Sequence, residues 1–545
     1  MLTTFTAPAF AKTWYIEDGD ITISASETKG TNKVSQGAEP EVEDTGTIIT
    51  NREKDASSHT VTINAGNDKV EVTLDNVNIK ADSGSALISK GDVTLTLKGD
   101  NHLTGGNGGS SSYGGDGITS SGSLTISGGT VTATGGDSTS SVGSGGSGIY
   151  SVSGDVTISG GTVNANGGDG KNGSGGGSGI DSSGGVTVSG GTVTANGGDS
   201  KDGDGGSGGY GISSSGVAIS GGTVTANGGD GGSGSGSHGG NGIYSSGGVT
   251  ISSGSTVTAN GGDGEDGSGG RGITSNGGVT VSGGTVNAKG GSGKNGNGGD
   301  GIRSFNPVAI SGGTVNANGG NSDYSNGGDG IRSLDHVAIS GGTVKSNGGS
   351  GNLSGGNGII SYDIDLSGSL ELTAKAGSPN GKALSRVGSE LDLNTIKDKL
   401  DPGAKVTATD ADGKVIQQVS IPRPVEPEEP SSSSDSGSAT PSAPASFLPG
   451  LTVTDKDGQR ISYTSTQSGN TLTVCVGRLT ASFRISLAAL RQLRAEGIET
   501  ITFQTILCST TLSVDELLAM GGEDTEVVLT HHIRSSTLTV GGKAV

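Results

Sequence analysis

The sequence is poor in the residues that most often carry metal, redox and stacking chemistry. Its 545 residues include 2 cysteines, 6 histidines and 1 tryptophan, and aromatic residues make up 3% of the chain. The two cysteines, Cys475 and Cys508, form neither a CxxC motif nor a metal-ligand spacing, and they leave open one disulfide or two thiols. The few aromatic side chains provide no obvious stacking platform.

Long hydrophobic runs are also absent. No segment reaches the about 20 apolar residues that a membrane-spanning helix requires, so we expect no transmembrane segment. Hydrophobic residues make up 28% of the chain, too few for several globular cores of ordinary composition. The composition therefore favours an elongated body with a thin core.

Basic residues are scarce relative to acidic ones. The chain has 33 Lys and Arg against 54 Asp and Glu, which gives a formal net charge of −21. Because binding to nucleic acid requires a basic surface that neutralises phosphates, we expect no nucleic-acid partner.

What the sequence does contain is a repeat, G-I-x-S-S-x-G-V-T-I-S-G-G-T-V-x-A-N-G-G. The threonine of its G-G-T-V segment recurs at intervals of 29 to 33 residues, at Thr130, Thr162, Thr192, Thr223, Thr256, Thr285, Thr314 and Thr343. Such periodicity is typical of a solenoid, in which each unit buries its apolar side on the next unit.

Each repeat contains three short apolar segments separated by turns, followed by a glycine-rich loop. This pattern predicts an all-β fold, a parallel β-helix with three strands and about 30 residues per coil. Right-handed winding is expected, since parallel crossovers are almost always right-handed. Alternation places isoleucines and valines in inward columns, one of them Ile118, Ile149, Ile180, Ile212, Ile243, Ile273, Ile302 and Ile331.

An asparagine recurs before the Gly-Gly of the third segment. We predict that these side chains stack in a structural ladder, interrupted by Thr134 and Lys289 and formed by Asn166, Asn196, Asn227, Asn260, Asn318 and Asn347.

Changes in composition divide the chain into six segments. Residues 1–11 end in Ala-Phe-Ala and are interpreted as a truncated signal peptide, which implies export of a mature chain from Lys12. The remaining segments are irregular first coils with an N-terminal cap (12–85), the regular repeats (86–376), a C-terminal cap (377–421), a Pro/Ser/Glu-rich linker (422–449) and a small α+β domain (450–545).

Three segments carry a family resemblance: Val72–Ile79, Ser85–Leu95, and Gly115–Ala133 with its Leu-Thr-Ile-Ser-Gly-Gly-Thr-Val motif. Over residues 60–375 the chain resembles secreted clostridial carbohydrate-binding proteins. Their known member is a polygalacturonate-binding right-handed β-helix that is similar in fold to pectate lyases and has bound calcium. The resemblance implies a polysaccharide ligand and a calcium ion, but it transfers no binding residue to this sequence.

Four outward-facing residues are candidate ligand-binding residues. Arg303 and Arg332 occupy the position after the first-segment isoleucine in adjacent repeats, so we expect them to lie roughly 5 Å apart along the axis. Two guanidinium groups at this spacing suit sugar carboxylates, although ion pairs with Asp329 and Asp335 are the structural alternative. Tyr150 and Tyr244 occupy the same position and are candidates for stacking on sugar rings.

Loop aspartates recur in Gly-Gly-Asp contexts. Because Ca²⁺ prefers carboxylate oxygens on loops, they are candidate metal ligands: Asp169, Asp199, Asp230, Asp263, Asp300 and Asp329. The alternative is ordinary turn chemistry.

No combination of residues in the repeats predicts catalysis. The strand positions are mostly Thr, Ser and Asn, so the two or three clustered carboxylates of a polysaccharide lyase or hydrolase are missing, and we expect no enzyme.

The sequence therefore predicts a secreted or cell-surface protein that binds extracellular polysaccharide, with acidic glycans favoured. The alternative is an adhesin or stalk that contacts the cell envelope through residues 450–545, and a lyase is a minor alternative.

Overall fold

A computed structural model describes residues 11–109, 113–201, 205–422, 451–455, 460–461, 463–468, 470–476, 480–505, 509–522, 525–531, 536–541 and 543–544. The chain divides into two compact units, residues 1–426 and 427–545. The predicted signal peptide, apart from Ala11, the predicted linker after residue 422, and Cys508 lie outside the described residues. Cys475, by contrast, is described, carries a free thiol and forms no disulfide.

The first unit begins with strands of irregular length and a 3-10 turn, Ile16–Asp18. Its strands are Thr13–Tyr15, Ile21–Ala25, Asn32–Gln36, Val42–Asp44, Ile48–Thr50, Val61–Asp75, Asn78–Lys80 and Leu87–Thr104. Asn32–Gln36 pairs antiparallel with both Ile21–Ala25 and Val42–Asp44. Parallel stacking already begins in the segment predicted to form irregular first coils, with Thr13–Tyr15 on Ile48–Thr50 and Ile21–Ala25 on Val61–Asp75.

From residue 118 onward, three strands recur in each coil. First strands are Ile118–Ser121, Ile149–Ser151, Ile243–Ser245, Ile273–Ser275, Ile302–Ser304, Ile331–Ser333, Ile359–Ser361 and Leu384–Arg386. Second strands are Val156–Ile158, Val249–Ile251, Val279–Val281, Val308–Ile310, His336–Ile339 and Asp363–Leu366. Third strands are Thr162–Asn166, Thr192–Asn196, Gly222–Asn227, Ser255–Asn260, Thr285–Lys289, Thr314–Asn318, Thr343–Asn347, Glu371–Lys375 and Lys405–Thr409. Leu124–Thr134 joins a second to a third strand, whereas Ile180–Val188 and Ile212–Ile219 join first to second strands.

Every strand pairs in parallel with its counterpart in the next coil. The register matches the sequence repeat, as in Val163 opposite Val193 and Val193 opposite Val224. The predicted column from Ile118 to Ile331 is fully buried at 0% exposure. The parallel β-helix predicted from the sequence is confirmed, and its right-handed winding stays a prediction.

The asparagine ladder is also confirmed. Where asparagines occupy consecutive coils, each Nδ2 donates to the Oδ1 of the preceding coil, from Asn196 to Asn166 at 2.9 Å and from Asn227 to Asn196 at 2.8 Å. These bonds satisfy polar groups at the corner where the third strand ends.

In the described parts of the glycine-rich loops, two columns of glycine bond to each other across successive coils. The N–H of Gly198 donates to the carbonyl of Gly177, that of Gly209 to Gly198, and that of Gly229 to Gly209. A Cβ added at Gly209 would overlap the carbonyl oxygen of Gly177. We call this zigzag, which runs from Gly136 to Gly377, the glycine ladder; it lets the backbones of adjacent loops pack directly on one another.

The far end of the first unit closes with antiparallel hairpins. Leu384–Arg386 pairs with Ser389–Glu390, and Lys405–Thr409 pairs with Val415–Ser420. The 3-10 helix Leu393–Lys399 lies between them, with the Asp392 side chain accepting from the Asn394 N–H. Such hairpins cover a sheet edge that would otherwise pair with another chain.

Two short strands in the loops, Gly170–Lys171 and Ser200–Lys201, pair with each other.

The second unit contains two sheets and two helices around its own apolar core. One sheet is antiparallel, with Leu451–Thr454, Ala481–Ser486, Glu526–His531, Ser536–Val540 and Lys543–Ala544. The other is mixed, with Thr464–Ser468, Thr471–Cys475, Thr500–Gln504 and Ser509–Ser513. The helices Leu487–Ala495 and Val514–Leu518 begin after the N-caps Ser486 and Ser513, whose side chains accept from the N–H groups of Ala489 and Glu516. Among the described residues, no helix has the length and apolar character needed to span a membrane.

Candidate functional site

Two outward columns flank the first strand of each coil. The column after the isoleucine runs in register through Tyr150, Asp181, Ser213, Tyr244, Thr274, Arg303, Arg332 and Ile360. Arg303 and Arg332 are therefore direct neighbours, as predicted. Tyr150 lies three coils from Tyr244, at about 4.8 Å per coil, so the two predicted tyrosines do not form one site.

The second column consists of the residue that precedes Gly-Ile in each coil. Hydrogen bonds from the backbone N–H of one member to the side chain of the member before it hold the column in register. The Asp329 N–H donates to Asp300 Oδ1 at 2.9 Å, and the Asn357 N–H donates to Asp329 Oδ1 at 2.6 Å. Arg271 precedes them, and its N–H donates to the Asn241 side chain at 2.8 Å.

The two columns enclose a cavity of about 270 Å³. We call it the charged groove, defined by Arg271, Asp300, Arg303, Asp329 and Arg332. Three arginines face two aspartates here, so the groove carries a formal charge of +1 on a chain of net charge −21. Arg271 was not among the predicted residues, because the residue type varies at the position before Gly-Ile.

Ion pairs connect the two columns. Arg332 Nη1 lies 3.2 Å from Asp329 Oδ2, Arg303 Nη1 lies 3.8 Å from Asp300 Oδ2, and Arg271 Nε lies 3.4 Å from Asp300 Oδ2. Asp329 is therefore a partner of Arg332, as the structural alternative expected. Asp335 instead lies 3.4 Å from the Nδ1 of His336.

These ion pairs do not satisfy the arginines. The Nε atoms of Arg271, Arg303 and Arg332 are all buried and make no hydrogen bond. Burial, together with the neighbouring Arg271 and then Arg332, lowers the pKa of Arg303. Because unpaired buried donors cost free energy, the groove is electrostatically incomplete and favours an added anion.

Asp329 is the most perturbed carboxyl group of the groove. Burial raises its pKa to about 6, and the nearby Asp300 contributes to the shift. Its bonds from Asn357 and its pairing with Arg332 oppose this effect without cancelling it. The groove therefore gains positive charge when the pH falls below neutrality.

Tyr244 lies two coils from Arg303 and is not alone. Its ring stacks on that of Tyr210, with centroids 5.4 Å apart and an interplanar angle of 18°. Burial raises the pKa of Tyr210. Sequence reasoning missed Tyr210 because the position before Gly-Ile holds a different type of residue in almost every coil.

The six candidate metal ligands belong to two different columns. Asp300 and Asp329 lie in the charged groove, whereas Asp169, Asp199, Asp230 and Asp263 follow the glycine ladder. In this second set each Oδ1 accepts the backbone N–H of the next coil, for example Asp230 N–H to Asp199 Oδ1 at 2.9 Å. Asp169 also pairs with the Lys201 ammonium group. These contacts join neighbouring coils, and the metal-ligand role of these aspartates stays a prediction.

Asp230 and Asp263 line a second, open cavity of about 310 Å³ with Glu265, Asp323 and Lys294. Burial raises the pKa of Asp230. Within the described part of the chain, no group of three or more His, Cys, Asp or Glu side chains has the arrangement of a metal site. Calcium binding stays a prediction.

Comparison with known families supports the repeat architecture. The family described as Beta helix repeat matches residues 124–148, 156–178, 217–241 and 308–331. No curated protein and no solved structure matches the chain. The matched segments each begin at a second strand and extend through the glycine-rich loop of the same coil. The matched segments cover less than half of the chain; with the parallel register of its strands, they support a parallel β-helix built from sequence repeats.

Proposed function

We propose that the β-helix binds an anionic polysaccharide, without cleaving it, along the charged groove. One observation carries the proposal: three arginines on successive coils line one groove with only two aspartates, and the Nε atom of each arginine is left without a hydrogen bond. Carboxylates are the ligands that a guanidinium group binds with two parallel hydrogen bonds. The ligand class is therefore an acidic glycan, such as a polyuronate.

The regular spacing of the arginines along the groove suits a polymeric ligand with repeating acidic units. Arg303 and Arg332 are register partners on adjacent coils, so their guanidinium groups recur at about 4.8 Å along the axis. Tyr244 and Tyr210 extend the same face two coils away and offer an aromatic surface for a pyranose ring. A chain lying parallel to the axis meets aromatic and cationic contacts in succession.

The contacts of the groove aspartates suit residues that position the arginines better than residues that catalyse glycan cleavage. Asp300 and Asp329 each accept a backbone N–H at Oδ1 and pair with arginine at Oδ2. A lyase or hydrolase needs a carboxyl group or base that is free to exchange a proton with the sugar. We therefore include the absence of glycan cleavage in the proposal; an assay for new reducing ends or unsaturated products tests it.

The proposal is tested by measuring the binding of oligogalacturonates to the purified chain by calorimetry. The Arg303→Ala/Arg332→Ala double variant is expected to lose at least about 30-fold in affinity, since two charge-assisted contacts disappear. Arg484→Ala, an exposed arginine of the second unit paired with Glu526, is the matched control. Unchanged affinity in the double variant, or no binding by the unaltered chain, would contradict the proposal.

Calcium is the alternative means of offsetting repulsion between an acidic glycan and an acidic protein. We propose that the arginines suffice, so binding persists when a chelator removes divalent cations. Loss of binding with the chelator would instead support calcium at the loop aspartates.

A second candidate function follows from the division of the chain into two units, the second with its own core. In this alternative, the β-helix is a stalk on the cell surface and residues 450–545 contact the cell envelope. Deleting residues 450–545 separates the two functions. Retained glycan binding with lost cell attachment assigns glycan recognition to the β-helix and attachment to the second unit.

A further inference from the structure

The charged groove ends at an apolar pocket. The register partner of Arg332 in the next coil is Ile360, an uncharged residue. Ile360, Leu334, Tyr362 and Val387 line this pocket of about 170 Å³ together with Arg332. Arg332 therefore lines both cavities, which adjoin at this side chain.

Two side chains of the pocket are exposed to an unusual degree. Tyr362 is 67% exposed and Val387 is 70% exposed. A single exposed apolar residue is ordinary on a protein surface, but two that adjoin a cationic groove and share one pocket form a contiguous apolar patch.

Val387 is also strained. It connects the strands Leu384–Arg386 and Ser389–Glu390 in a two-residue turn, with φ of 48° at Val387 and 78° at Gly388. Turns with positive φ at both positions favour Asn, Asp or Gly, and a β-branched residue there is a steric outlier. The fold gains no burial from this side chain, so the strain points to a role at the surface.

The pocket differs from the groove in the chemistry that it can recognise. Arg332 is the only charged side chain among its lining residues, and it already faces the groove. A sugar unit held in the pocket itself would find no cation other than Arg332 among the lining residues. It would instead find an exposed tyrosine ring, which suits the C–H face of a pyranose.

We propose that this pocket is a subsite for an uncharged pyranose unit next to the acidic units at Arg303 and Arg332. The inference rests on the proposed function and specifies its ligand. The preferred glycan is an acidic polysaccharide in which a unit without a free carboxylate follows a run of acidic units.

Calorimetry with two oligogalacturonate pools of equal length tests this subsite. One pool has only free carboxylates, and the other is partly methyl-esterified. The unaltered chain is expected to bind the partly esterified pool about tenfold more tightly, because one unit gains an apolar contact in place of an unpaired charge. Tyr362→Ala and Val387→Gly are expected to abolish that preference and keep the affinity for the fully acidic pool.

Val387→Gly separates a binding role from a structural one. Glycine accepts positive φ without strain, so this variant is expected to melt at a higher temperature while it loses the preference. Val142→Gly, at an exposed valine outside the pocket, is the control and is expected to leave the preference unchanged.

The outcomes distinguish this inference from the function on which it rests. Equal affinity for the two pools, or a preference that survives both pocket variants while Arg303→Ala weakens binding, overturns the subsite and leaves the groove intact. Failure of the unaltered chain to bind either pool overturns both.

Discussion

At the scale of single residues, the function depends on side chains whose partners are incomplete. Arg303 and Arg332 pair with Asp300 and Asp329, yet their Nε atoms stay buried and unbonded. Asp329 faces Asp300, Arg332 and Arg303, and Asn357 donates to its carboxylate. The charge of the groove is therefore set by one carboxyl group that titrates near neutral pH.

Binding of an acidic glycan is expected to strengthen about three- to tenfold as the pH falls from 7 to 5, because protonation of Asp329 leaves Arg332 free for the ligand. The pKa of Asp329 is raised to about 6, so the transition is expected around that pH. Asp329→Asn keeps the acceptor for Asn357 and is expected to bind equally at both pH values. A full pH dependence in this variant would assign the titration to another group.

The same group affects stability with the same trend in pH, since the folded state also gains stability as the pH falls. A carboxyl group with a raised pKa binds its proton more tightly in the folded state. Its stabilising contribution is complete below the ordinary value of 3.8 and is lost as the pH rises through about 6. Thermal melts at pH 5 and pH 7 are expected to differ less for Asp329→Asn than for the unaltered chain.

At the scale of elements, the strands and the loops are held by different devices. Isoleucine and valine columns fill the interior. The asparagine ladder forms hydrogen bonds between polar side chains at the corner after the third strand, and the glycine ladder joins the backbones of loops of unequal length. The glycine ladder is the hardest of the three to predict from the sequence, since glycine-rich stretches ordinarily indicate flexible segments.

Gly240→Ala is expected to destabilise the β-helix by about 3 kcal/mol or more, because the added Cβ would overlap the carbonyl oxygen of Gly209. At Gly160 a Cβ meets nothing within 4 Å, so Gly160→Ala is expected to change stability by less than about 0.5 kcal/mol. Denaturation midpoints compare the two. Equal midpoints would show that the ladder does not constrain the loops.

Asn227→Ala removes a bond donated to Asn196 and one accepted from Asn260, both 2.8 Å long. We expect a loss of about 1–3 kcal/mol, because the two neighbours are left unpaired. Lys289→Ala, at a natural gap in the same column, is the control and is expected to change stability by less than about 0.5 kcal/mol. A similar loss in both variants would assign the effect to the strand and not to the ladder.

The sequence predicts the strands well and the groove only in part. The spacing of Ile302 and Ile331 fixes the register of Arg303 and Arg332, because side chains in a strand alternate with period two. Arg271 and Tyr210 were missed because their column holds no recurring residue type. Residue types likewise could not separate Asp263 from Asp300, since both follow two glycines and only the fold assigns them to different columns.

At the scale of the whole molecule, each coil of the first unit stacks on its sequence neighbours. Stability in such a solenoid is close to a sum of terms within and between adjacent coils. The charged groove extends over a few coils only, from Arg271 to Arg332, so distant coils affect it little.

Deleting residues 150–180, one full period in register, is expected to leave a folded chain that binds glycan with an affinity within about twofold of the original. Ile149 would then precede Asp181, which keeps every strand in its column. Deleting only residues 150–160 breaks the register and is expected to expose the core. Circular dichroism and the binding assay compare the two deletions, and equal behaviour would contradict the modular account.

A crystal structure with a bound oligogalacturonate tests the central claim most directly. We predict the sugar chain lying along the charged groove, with adjacent carboxylates within hydrogen-bond distance of Arg303 and Arg332. An oligosaccharide bound elsewhere on the chain, with both arginines still paired only to Asp300 and Asp329, would contradict it.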